Sequence, residues 1–281
     1  MANEVKTNLQ DNSQSAHQPE QSGDVRLDNS VEARRTQIQA ILSREGKVRV
    51  LDLSRSFNIS AVTIRNDLAE MERAGLVERV HGGAVSTNKS YYNMSDKERM
   101  VTHEREKRAI AEYAAQLVNE GDTLFINSGT TSLYLASEIK RINNILVITN
   151  SPLVAQELGY SPFCDVILLG GNYSGRYRFT YGDDAANQLG KYRADKFFLS
   201  CDGLHEEAGI TTYHHLEADI NRQFMQNARL TIAVADFSKI GKVSRIHVNP
   251  IQCLDTLVTN QCAKQDTLDA IRALDVDIIC V

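Results

Sequence analysis

The 281-residue chain has no apolar run near the roughly 18–20 residues that a membrane-spanning helix needs. Its first residues also lack the apolar stretch of a secretory signal, so the expected compartment is the cytoplasm. Five cysteines are present, an odd number, and no two stand at C-x-x-C spacing. That argues against a disulfide framework and against a zinc site. Cys164, Cys201 and Cys280 sit in or beside apolar runs and read as small buried hydrophobes. No spaced set of His, Cys and Asp offers itself to a metal, and no cofactor is expected. A general excess of basic charge is missing too, since 31 Lys and Arg face 36 Asp and Glu for a net charge of −5.

What is present is organised. The length suits two domains. Residues 1–30 are rich in Asn, Gln, Ser and Asp and hold two basic against five acidic side chains. With so little apolar surface to bury, this stretch is expected to be a disordered tail. Residues 31–86 hold nine basic against seven acidic side chains and form the only net-positive segment. Ile38, Ile41 and Leu42 recur at helical spacing until Gly46. Val48 and Val50 begin a short extended piece, and Leu51, Leu53 and Phe57 mark a second helix ending near Asn58. Ser60 is a good N-cap for a third helix with Ile64, Leu68 and Met71 along its inner face. Gly75 closes it. Leu76–Val80 and Ala84–Ser86 then read as two strands around His81-Gly82-Gly83.

Helix, helix, tight turn, helix, hairpin is the order of a winged helix-turn-helix. In such a domain the third helix enters the major groove with polar residues near its start. Thr63, Arg65 and Asn66 are placed for that: Arg pairs with guanine or phosphate, Asn with adenine, Thr with phosphate or a thymine methyl. Arg79 and His81 at the hairpin would reach the flanking backbone. Val48, Ser60 and Asp67 complete the expected DNA-contacting set. Three short helices and a hairpin also occur in protein-interaction modules, so the pattern alone leaves both readings open.

The stretch from Gly46 to Val85 resembles the helix-turn-helix of the DeoR family of bacterial regulators. The resemblance is carried by Ile59-Ser60, by Thr63-Ile64-Arg65-Asn66-Asp67-Leu68, by Met71 through Gly75, and by Arg79-Val80-His81-Gly82-Gly83-Ala84. Met71 stands in place of the family's Leu, and Asn66 stands where many relatives have Arg. The resemblance implies DNA binding, by a dimer or tetramer on repeated half-sites.

After a linker at 87–101, residues 102–281 alternate apolar strands with helices. A charged, Ala-rich helix is expected over Thr102–Leu117. Strands are expected at Leu124–Ile126, Ile145–Thr149, Val166–Leu169, Lys196–Ser200, Leu230–Ala235, Thr256–Val258 and Asp277–Val281. Helices are expected from Ser132 onward and at Ala155–Leu158, Ala185–Leu189, Leu216–Ala228 and Thr267–Leu274. This predicts an α/β domain with a mainly parallel sheet. Ligands in such sheets sit at the carboxyl ends of the strands. Small, polar and charged residues follow the strands: Ser128 to Thr131, Asn150-Ser151, Gly170-Gly171, Cys201-Asp202-Gly203 and Asp236 to Lys239. The Ser128-Gly129-Thr130-Thr131 loop ahead of a helix is an anion cradle or simply a cap.

The segments INSGTT, VITNS, LLGG, YGDDA, KFFLSCDGL, GITT and VADFSKIG resemble, in order, the DeoR-family sensor domain. That domain is similar in fold to ribose phosphate isomerase and takes phosphorylated sugars. The resemblance implies Ser128, Gly129, Thr130 and Thr131 as the phosphate loop. It makes Lys107 and Lys239 its cationic partners and assigns Asp202, Asn150 and Glu217 to sugar hydroxyls. Asn127 stands where many relatives have Asp. The segments around Tyr181–Ala185 and Gly209–Thr212 look closest to regulators of amino-sugar use. A sugar-phosphate isomerase is the rival reading, because Asp202 and Glu217 would supply carboxylates for proton transfer. Such an enzyme also needs a lysine shortly after its acidic loop, and Gly203–Leu216 contains none. A pure interaction scaffold would leave the polar residues after each strand unexplained. The expected protein is therefore a repressor controlled by a phosphorylated sugar, not an enzyme.

Overall fold

A computed structural model describes residues 30–281 except 46, 74, 75, 81, 87–95 and 176. The expected tail, the helix stops at Gly46 and Gly75, the proposed contact of His81 and most of the expected linker lie outside the described residues.

The N-terminal unit runs α1 (Val31–Glu45), β1 (Lys47–Arg49), α2 (Val50–Phe57), α3 (Ala61–Arg73), β2 (Val77–Val80) and β3 (Gly83–Ser86). The three strands form one antiparallel sheet in the order β1-β3-β2. Gly83 is required where β3 crosses β1, because a Cβ there would overlap the Val48 carbonyl oxygen. Between α2 and α3 the chain turns at Asn58, which takes a left-handed conformation (φ 51°, ψ 46°). Asn tolerates this better than most residues. The Thr63 amide then donates to Ser60 Oγ at 3.1 Å, capping α3. Ile38, Leu42, Leu53, Phe57, Ile64, Leu68 and Met71 form the core.

Two expected DNA contacts belong to that core instead. Val48 is buried beneath the sheet. Asp67 is buried as well, accepting from Arg34 Nε at 2.7 Å and Arg35 Nε at 3.1 Å. Its carboxylate ties α3 to α1 and is spent on that task.

In the second unit, α4 (Asp96–Val101) and α5 (Glu104–Ala115) lead into β4 (Thr123–Ile126), α6 (Thr130–Ile139), β5 (Ile145–Thr149), α7 (Pro152–Leu158) and β6 (Cys164–Leu168). A hairpin of β7 (Asn172–Ser174) and β8 (Phe179–Tyr181) follows, then α8 (Asp183–Leu189) and β9 (Ala194–Leu199). Next come β10 (Gly203–His205), β11 (Gly209–Thr212), α9 (His215–Asn227), β12 (Ala228–Val234), β13 (Ile246–Asn249), β14 (Thr256–Thr259), α10 (Gln265–Arg272) and β15 (Asp277–Cys280). The expected linker is thus helical over 96–101.

Seven strands form one sheet in the order β15-β14-β12-β9-β4-β5-β6, parallel throughout. Helices cover both faces. Ile110, Leu135 and Val154 of α5, α6 and α7 pack with Leu124 and Ile126 on one side. Leu189, Phe224 and Leu268 of α8, α9 and α10 pack with Phe125 and Phe197 on the other. Alternation along β4 therefore feeds two cores, as a sheet buried on both faces requires. Cys164 and Cys201 are buried as expected, but Cys280 is exposed, because it ends the edge strand β15. A smaller antiparallel sheet, β10-β11-β13, stands beside the main one.

Candidate functional site

Chain order reverses between β4 and β9: strands β5 and β6 extend one way, β12, β14 and β15 the other. Crevices open at such switch points, beyond the strand carboxyl ends. A cavity lies there. It is lined by Ser128, Gly129, Thr130 and Thr131 after β4, by Ser200, Cys201 and Asp202 after β9, and by Asp236 and Lys239 after β12. Glu217 of α9 and Lys107 of α5 complete it, with Arg99, Tyr177 and Phe179.

Buried amides clamp the loops. Asn127 Nδ2 donates to the Ser200 carbonyl at 2.8 Å and to Asn221 Oδ1 at 3.1 Å, and its Oδ1 accepts from the Ser200 amide at 2.8 Å. The side chain that departs from the family pattern thus joins the β4 and β9 loops. An aspartate would lose both donated bonds. A Cβ on Gly129 would collide with Ser200, so the loop passes β9 only as glycine.

Both signs of charge line the cavity and stand close together: Lys239 faces Asp202, and Arg99 and Ser128 face Glu217. The first residues of α6 line the cavity too, where backbone N–H groups and the helix dipole favour an anion. Lys107, Lys239 and Arg99 stand with them. Lys107 is buried, and its Nζ donates to the carbonyls of Arg99 and Thr102, both at 2.7 Å. Asp236 is buried against Lys239, Lys107 and His103, which outweigh its burial and lower its pKa. Burial lowers the pKa of His103, whose ring meets Phe237 edge-on at 4.8 Å.

The Thr212 hydroxyl lies 2.8 Å from Asp202 Oδ2 and 2.7 Å from Glu217 Oε2. A hydroxyl has one proton to give, so the second contact needs a proton on a carboxyl. Glu217 supplies it: burial, then the neighbouring Asp202, push its pKa up to about 8. The Asp202 pKa is raised too, chiefly by burial, although Lys239, Thr212 and the Tyr213 amide oppose this. Burial pushes the Cys201 thiol up to about 12, which rules it out as a nucleophile near neutrality.

Eight of the residues expected to bind ligand therefore converge: Lys107, Ser128, Gly129, Thr130, Thr131, Asp202, Glu217 and Lys239. Three do not. Asn150 is buried, with its Nδ2 donating to the Thr180 carbonyl at 3.2 Å, and so holds β8 in place. The Gly170 amide donates to Gln188 Oε1 at 3.0 Å. At Gly171 a Cβ would come within 2.7 Å of the Tyr181 carbonyl oxygen. These two glycines serve close packing of the β7–β8 hairpin and α8. Sequence reasoning missed Arg99, which α4 delivers, and Tyr177, which the β7–β8 turn delivers onto His214 at a ring separation of 4.0 Å. Neither carries a local signal.

In the N-terminal unit, Ser60, Arg65, Asn66 and Arg79 are exposed and Thr63 is half-buried on α3. Arg79 approaches Glu72, to which its amide donates at 3.0 Å.

A winged helix with a largely polar exposed face on its third helix, followed by an α/β domain with a polar cavity, has the parts of a ligand-responsive transcription regulator. Residues 34–90 match the DeoR-like helix-turn-helix domain and residues 102–261 the DeoR C-terminal sensor domain. The chain belongs to the DeoR family. It is 33% identical over 264 residues to a candidate aga operon transcriptional repressor of Escherichia coli O157:H7, covering 92% of this chain and 97% of that protein. It is 32% identical to the regulator GolR of Listeria innocua, covering 81% of this chain and 89% of the relative. Identity to the repressor GlcR of Bacillus subtilis is 28%, covering 88% and 95%. Among solved structures, a ribose 5-phosphate isomerase of Methanocaldococcus jannaschii aligns at TM-score 0.37 and 18% identity, covering 49% of this chain and 54% of that one. No helix among the described residues is long and apolar enough to cross a membrane.

Proposed function

We propose that this chain represses carbohydrate-use genes in the cytoplasm and that a phosphorylated sugar releases it from its operator. The observation that carries the reading is the cavity at the β4–β9 switch point, where a helix start and buried lysines meet a pair of carboxyl groups. A phosphate would meet the start of α6 with Lys107 and Lys239, and sugar hydroxyls would meet Asp202 and Glu217. Lys suits a phosphate as a compact point charge.

The route to DNA runs through Lys107. Its Nζ holds carbonyls at the end of α4 and just beyond it, and the Tyr134 hydroxyl donates to the Met100 carbonyl at 3.1 Å. A phosphate that draws on the Lys107 ammonium and the Arg99 guanidinium competes with those bonds. Segment 87–95, which connects α4 to the wing, would then receive a different anchor. A ligand that favours one arrangement of α4 shifts the population of DNA-competent molecules. Two or more copies on repeated half-sites would pass this on together.

The test is binding of purified full-length protein to its own upstream region, with and without a panel of sugar phosphates. One compound is expected to weaken binding. DNA binding that no compound alters would remove the phosphate site. Arg65→Ala is expected to weaken operator binding about 5- to 100-fold, the worth of one good base or phosphate pair, while effector affinity stays constant. Titrations of both ligands on the same preparation check this. Thr130→Val should weaken the effector roughly tenfold, through one lost hydroxyl bond, and leave DNA affinity intact. An unchanged response in Thr130→Val would move the phosphate elsewhere.

A further inference from the structure

Helix α3 sorts its side chains by face. Ile64, Leu68 and Met71 are buried, whereas Val62 keeps 62% of its surface exposed. Among the described residues of α3 it is the only large apolar side chain left in solvent. Helix spacing sets its neighbours: Arg65 lies three residues on and Asn66 four, so the three share one outward patch. Valine is a weaker helix former than alanine and contributes nothing to the core here, so neither helix propensity nor packing explains it. Single exposed apolar residues are common on protein surfaces. This one, however, stands beside two side chains suited to reading base edges. The apolar feature that the major groove offers is the C5-methyl group of thymine.

We infer that Val62 is a specificity-determining residue that packs its methyl groups against a thymine methyl, fixing a T·A pair beside the base met by Asn66. The inference rests on α3 being the reading helix. It would give this protein an operator preference distinct from that of a relative with a polar side chain at this position.

Full-length protein is first used to select duplexes from a random pool. Each thymine of a selected duplex is then replaced singly by deoxyuridine, which removes only the C5-methyl. Dissociation constants are measured for wild type and Val62→Ala. The expected result is one thymine per half-site whose replacement weakens wild type about fourfold, as one buried methyl group should. The same replacement should leave Val62→Ala unaffected, and that variant should bind the thymine duplex as weakly as wild type binds the uracil one. An unchanged melting temperature would show that Val62→Ala still folds. If every uracil weakens the two proteins equally, the inference is overturned. It is also overturned if Val62→Ala alters the oligomeric state and leaves DNA affinity alone, because the patch would then be a protein contact. If wild type selects no duplex, α3 is not the reading helix and both readings fall. If wild type selects one and Arg65→Ala loses it while no thymine discriminates, only the role of Val62 falls.

Discussion

Asp67→Ala is expected to unfold the winged helix and abolish operator binding while the sensor domain keeps its melting temperature. Arg34 is almost wholly buried, and the Asp67 carboxylate pairs with it. Removing one member of a buried ion pair costs about 3–5 kcal/mol. A domain of this size has little more than that in hand, since small folds bury the smallest share of their surface. The second bond, to Arg35, is lost at the same time, and with it the tie between α1 and α3. Asp67→Asn keeps the shape and one acceptor, so it should fall between alanine and wild type. Calorimetry on the full chain is the direct check. The alanine variant should lose the transition of the DNA-binding unit and keep that of the sensor. A variant that melts like wild type yet no longer binds DNA would return Asp67 to the DNA-contacting set.

Asp67 also marks where sequence reading reached and where it stopped. The signature of Thr63 to Leu68 groups it with the outward residues. Its spacing does not: it lies three after Ile64 and four before Met71, on the stripe that faces the core. A carboxylate on that stripe has to find a partner from another helix, and the sequence does not say which arginine. The main strands were legible because both faces of the parallel sheet are buried, which leaves runs such as Ile145–Thr149. The short antiparallel pieces were not. Asn172–Ser174 and Gly203–His205 carry neither alternation nor an apolar run, and their pairing comes from partners supplied by the fold. The cavity divides the same way. Residues that follow the central strands could be read directly, as Ser128 to Thr131, Asp202 and Lys239 show. Asn150 and Gly170-Gly171 follow strands too, but the β7–β8 hairpin and α8 fold over those strand ends and take up their polar groups. That covering, which decides this, is not written locally.

Glu217 gives the second large effect, and its sign is unusual for a carboxylate. In the unfolded chain it titrates at its ordinary 4.5, and in the folded protein at about 8. Between those values the folded state keeps a proton that the unfolded state has released. The Glu217 contribution to stability is therefore greatest below pH 4.5, falls as pH rises towards 8, and levels off beyond. The raised Asp202 acts in the same direction. His103 opposes them below pH 6.5, since its pKa is lowered by burial. Tenfold tighter proton binding corresponds to about 1.4 kcal/mol, and Glu217 keeps part of its surface open to water, so a loss of a few kcal/mol is expected across the window. Glu217→Gln tests the effect. The amide can still donate to Thr212 Oγ1, as the protonated carboxyl does, and it cannot ionise. The variant should match wild type near pH 5 and melt several degrees higher at pH 8, where wild type holds two carboxylates behind one hydroxyl proton. Because His103 remains in both proteins, the difference between the two melting curves reports Glu217 together with its interaction with Asp202. If the variant melts no higher than wild type at pH 8, Thr212 does not share a proton with the acid pair. The cavity would then meet its ligand with two full negative charges, which accept from sugar hydroxyls that bring their own protons.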